Sequence, residues 1–259
     1  MPLFGKKNRR PVSNQPLSLP PLQLQTRTPS PIMNILGREL NAALPQEKIT
    51  ELRSASAVDM PTTGDRERLR ACMALDWLVR TWVPRWLALV PDAGEQLGSA
   101  LIALAPIRDL ETADAAGALI GALADVSDST EKFIAANYDK DNFYDTAAVT
   151  AARKASDTAV AESAGTAVAD AAMSEILDEC TAARTDIALR SVTVIALNHS
   201  LDTVWPYMVN WANGPGDFDV KKISVGNLAP VVARKALESV IGELQLEAGK
   251  LYVELCRLD

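Results

Sequence analysis

The chain predicts an all-α fold, a multi-helix bundle preceded by a flexible, basic, proline-rich N-terminal arm. Three observations lead there. Hydrophobic residues make up 48% of the 259 positions but aromatics only 5%, so the apolar mass is mostly alanine and leucine. These are good helix formers, whereas a β-sandwich draws on β-branched and aromatic side chains. Apolar residues also recur at three- and four-residue spacings after residue 31, the period of helices with one buried face. Charge and proline are segregated as well. Residues 1–31 hold five basic residues, no acidic one and seven of the fifteen prolines, while the rest of the chain holds all 33 carboxylates.

Two units follow, an arm over 1–31 and a bundle over 32–259 with a possible subdivision near 140–146. In the arm, Pro16 to Gln25 alternates leucine with polar residues and proline. Proline fixes φ and biases its predecessor toward extended geometry, so this stretch predicts polyproline II or disorder, with a reach on the order of 90 Å. Lys6, Lys7, Arg9 and Arg10 resemble the start of a signal peptide, but no continuous apolar run follows them.

Within the body, Ile32, Ile35, Leu36, Leu40 and Leu44 predict a first helix ending at Pro45, and a short second helix is expected over 46–57. Pro61 to Gly64 breaks the chain. A helix then runs from Asp65 to Val90 with Leu75, Val79, Trp82, Trp86 and Leu89 on one face, kinked or broken at Pro84. Asp92 with Glu95 reads as a capping box for a helix stopping at Pro106. Two segments follow, Thr112 to Ala124 and Ser127 to Tyr138. Thr146 to Leu197 reads as nearly uninterrupted alanine-rich helix, liable to bend or split at Gly165. Lys222 to Val225 is the only strand candidate.

The last helix, starting near Asn227 or Pro230, carries the cleanest period. Leu237, Ile241, Leu244, Ala248, Leu251, Leu255 and Leu258 alternate spacings of four and three. Such a seam suits either a homo-oligomeric coiled coil or packing inside the chain's own bundle. Three heptads and a small Ala248 favour the second.

Standard catalytic and cofactor chemistry finds little support. His199 is the only histidine, expected at a helix end, and adjacent Ser200 and Asp202 do not face it as a triad requires. Cys72, Cys180 and Cys256 are too scattered for a zinc site and read as buried thiols of a reducing, cytoplasmic setting. Phosphate-binding glycine motifs are missing, and Asp139 to Asp145 lacks the glycine and terminal glutamate of a calcium loop. No cofactor or metal is therefore expected. The rival from the enzyme class is an all-α Mg²⁺-dependent nucleotide hydrolase using Glu111, Asp114, Glu175, Asp178 and Glu179, which share helical spacings. Acids so spaced are more often a solvated face.

Trp77, Trp82 and Trp86 with Arg80 and Arg85 form either a cation–π binding surface or a core whose arginine heads reach water. The continuing aliphatic stripe favours the core, and Arg80 and Arg85 are kept as candidate binding residues. Trp205 and Trp211 read as a second anchor where the long helix ends. The string Ala71 to Leu89, ACMALDWLVRTWVPRWLAL, resembles a segment of alanine-rich helical proteins of actinobacteria and their phages. That resemblance implies a bacterial or phage origin and carries no catalytic residue with it.

The resulting expectation is a non-enzymatic structural, binding or adaptor protein, cytoplasmic or virion-associated and not membrane-bound. Lys6, Lys7, Arg9 and Arg10 would tether it to nucleic acid or another acidic partner. An alternative makes Pro16 to Leu24 a proline-rich ligand docking on a protein.

Overall fold

The computed structural model describes residues 30–44, 64–138, 143–173 and 179–258, with positions 47 and 50, and every regular element among them is helical. In order these are α1 (Pro31–Ala43), α2 (Gly64–Trp77), a π-helical turn (Leu78–Trp82), α3 (Val83–Leu87), α4 (Ala93–Ile102), α5 (Leu110–Ala115), α6 (Gly117–Tyr138), α7 (Phe143–Glu162), α8 (Gly165–Met173), α9 (Glu179–Ala212) and α10 (Phe218–Cys256). Of the expected helix over 46–57 only positions 47 and 50 are described, both helical, and the rest lies outside the described residues. Helices α7, α9 and α10 pack on one another, α6 lies against α9, and α1 and α2 close on α8. No described helix is long and apolar enough to cross a membrane.

α1 follows its apolar pattern, with Ile32, Leu36, Leu40 and Leu44 buried. Pro31 occupies its first turn, where a missing N–H costs nothing, and Ser30 caps it. At Pro84 the expected kink or break takes the form of a change of helical register. Val83 N–H donates to the Leu78 carbonyl five residues back, and Pro84 then enters α3 within its first turn. The π turn thereby absorbs the ring that would clash in a regular ladder. Trp82 and Trp86 are fully buried, edge to face at 6.3 Å, and Trp77 is nearly so.

Three boundaries differ from expectation for local reasons. Asp92 takes φ +57° and its side chain caps nothing, so the Asp92/Glu95 box does not form. Gly94 is pressed against the Leu87 carbonyl and Val90, a reversal too tight for extended capping geometry. A capping box forms instead at Asp109, whose carboxylate accepts Thr112 N–H at 2.8 Å while Thr112 Oγ1 accepts Asp109 N–H at 3.1 Å. Those bonds from Thr112 hold the Asp109 carboxyl below the usual carboxylate range. α6 runs unbroken through 125–127, because Ser129 and Thr130 donate back to the Asp125 and Val126 carbonyls at 2.8 Å instead of interrupting the helix.

The long alanine-rich stretch is not one uninterrupted helix, for it divides beside Gly165. Ala164 adopts φ +63° between α7 and α8. Trp82 occupies this junction, donating its indole N–H to Ser163 Oγ at 2.9 Å, and Gln245 donates to the Glu162 carbonyl at 3.1 Å. α9 continues past Leu197 to Ala212, so His199 lies inside a helix rather than at its end. Lys221 Nζ caps that true end through the Ala212 carbonyl at 2.9 Å.

α10 begins at Phe218, earlier than Asn227 or Pro230, because Asp217 caps it by accepting Asp219 N–H at 3.1 Å. The strand candidate Lys222 to Val225 is helical, and Pro230 sits inside the helix on its exposed side. All seam residues from Leu237 to Leu255 are buried within the chain, and Leu258 packs partly against the same core. Apolar clusters also bridge residues 140–146, for Ile134 and Tyr138 pack with Ala152, Val194 and Leu201.

Candidate functional site

Among the described residues, the most buried polar arrangement lies at Ser30, Glu67 and Arg70. Ser30 Oγ accepts Met33 N–H at 3.1 Å and donates to Glu67 Oε2 at 2.6 Å. The other Glu67 oxygen accepts from Arg70 at 2.5 Å, and Arg70 in turn donates to the Leu255 carbonyl at 3.2 Å and the Leu258 carbonyl at 3.5 Å. Arg70 is fully buried and Glu67 is 4% exposed. A charge pair so desolvated persists only because its remaining donors and acceptors are also satisfied. Arg70 places its cation at the C-terminal end of α10, against carbonyls that lack helical partners and against the negative end of the helix dipole. Ser30 is thereby locked to α2, which in turn holds α10. Sequence reasoning did not single out this corner. The i, i+3 spacing of Glu67 and Arg70 signals a pair, but nothing local signals its burial.

Lys6, Lys7, Arg9 and Arg10 lie outside the described residues. Arg80 and Arg85 are both engaged within the chain. Arg80 pairs with Asp76 at 3.3 Å and reaches the Ile102 carbonyl at 3.4 Å, capping α4, while Asp76 also accepts Ile107 N–H at 2.7 Å. Arg85 pairs with Glu243 at 3.3 Å, both about half exposed, a weak and screened bond. The tryptophans do not form an open cation–π surface, since all three are buried.

Of the five carboxylates of the Mg²⁺ hypothesis, Glu111 is exposed and Asp114, 75% exposed, pairs with Arg184 at 2.8 Å. Glu179 opens α9, while Glu175 and Asp178 lie outside the described residues, as does most of the Asp139 to Asp145 loop. Among the described residues no three His, Cys, Asp or Glu side chains gather as a metal site. Cys72 and Cys256 are free and buried, and desolvation pushes both thiols above their ordinary value, which keeps them in the unreactive thiol form. His199 is half-buried in α9, its carbonyl accepting from Thr203 at 3.1 Å. Below it, Tyr138 donates to Asp202 at 2.8 Å and meets Trp205 edge to face at 5.4 Å.

One groove of about 620 Å³ runs along the C-terminal half of α10, lined by Leu44, Arg85, Glu243, Leu246, Lys250 and Arg257 among others. Its size suits a ligand, but its walls alternate acid and base and converge on no single chemistry. Compared with known proteins, the chain matches no family model, no curated protein and no solved structure.

Proposed function

We propose that this is a non-enzymatic binding or scaffold protein in which the basic arm holds an acidic partner, foremost a nucleic acid, while the acidic helical body stands away from it. The observation that carries this is the charge segregation. An arm with five basic and no acidic residues joins a body whose carboxylates outnumber its basic residues. Coulomb repulsion disfavours contact between a polyanion and that body, and attraction favours the arm. The buried Ser30–Glu67–Arg70 corner supports the reading, since it fixes the root of the arm to the bundle and turns the arm into a tether with a defined origin. A bacterial or phage setting, including association with a virion, belongs to this proposal.

The test is binding of a short DNA duplex, followed by fluorescence anisotropy, to the full chain and to chains lacking residues 1–10 or 1–27. The deletions stop before Ser30 so that α1 keeps its cap. Four phosphate contacts from Lys6, Lys7, Arg9 and Arg10 predict a slope of about −3.6 in log K against log salt, roughly a 150-fold loss between about 50 and 200 mM. Removing residues 1–10 should abolish that slope. If neither deletion changes retention of DNA or of any acidic polypeptide, the tether is wrong. A partner retained without residues 1–10 but lost without 1–27 would instead favour Pro16 to Leu24 as a docking peptide.

A further inference from the structure

We draw no further inference here: the strongest candidate, the groove of about 620 Å³ along the C-terminal half of α10, pairs Arg85 with Glu243 and Lys250 with Glu247 along its own walls, and nothing in the structure shows what covers it.

Discussion

Replacing Gly165 by alanine pits local propensity against tertiary packing. Gly165 opens α8 in an alanine-rich stretch with φ outside the left-handed region, so helix propensity alone predicts a gain of up to about 1 kcal/mol. A Cβ there would overlap the Trp82 indole, whose Nε1 lies 2.8 Å from the built position, with two ring carbons closer still. Trp82 is fully buried and tied to Ser163 at 2.9 Å, so it cannot simply swing away. Overpacking costs about 1–3 kcal/mol, and a displaced indole N–H left without an acceptor adds about 1–3. After the propensity gain, a net loss of roughly 1–5 kcal/mol remains, or a few °C per kcal/mol in Tm for a chain of this size. Urea titration followed by circular dichroism should show a lower midpoint at unchanged slope. In a Trp82→Phe background the clashing atoms are gone, so the same Gly165→Ala change should become neutral or stabilising. Gly117→Ala is the comparison, since its Cβ meets the guanidinium end of Arg184, which can shift at the expense of its exposed pairing with Asp114, and the cost should stay within about 1 kcal/mol. A neutral Gly165→Ala in the natural chain, or an equal cost in both backgrounds, would refute the packing argument.

Arg70→Met leaves Glu67 buried without its cation and should cost about 3–5 kcal/mol in urea titration, whereas R70M/E67L should recover much of it. Burial, the bond to Asp202 and the Asp202 charge push the Tyr138 phenol up to about 12. The fold therefore stabilises its neutral form, and this contribution is complete below about pH 10 and lost as pH rises from there to about 12. Ultraviolet titration should show a late-ionising phenol, and Tyr138→Phe should remove that late step while costing about 1 kcal/mol. Leu244→Asp puts a charge at a fully buried seam position, so helicity should collapse, and a folded chain of reduced mass would contradict the intramolecular seam.

How much of this was legible in the chain depends on the range of the interaction responsible. The first helix, the buried tryptophan face and the seam of α10 follow from apolar spacing, which any single helix displays. Misplaced boundaries, at Asp92, at 125–127 and at Phe218, turned on side chains that can either cap a helix or bond back into it. Ser30, Glu67 and Arg70 escaped notice because partners 37 and 185 residues away make the corner. The arm's charges were plain from the sequence, while Arg80 and Arg85 changed meaning once Asp76, Ile102 and Glu243 were seen beside them.

By itself the sequence determined the helical class, the separation of a basic arm from an acidic body and the heptad face of the last helix, because composition and period act over a few residues. The sequence marked Gly165 as the weak point of the alanine-rich stretch, and the tertiary structure decided between a bend and a split, with Trp82 from another helix occupying the junction. Tertiary structure alone turned the leucine seam inward and buried the Glu67–Arg70 pair at the root of the arm. Those outcomes depend on which surfaces meet across the chain, and no local spacing carries that information.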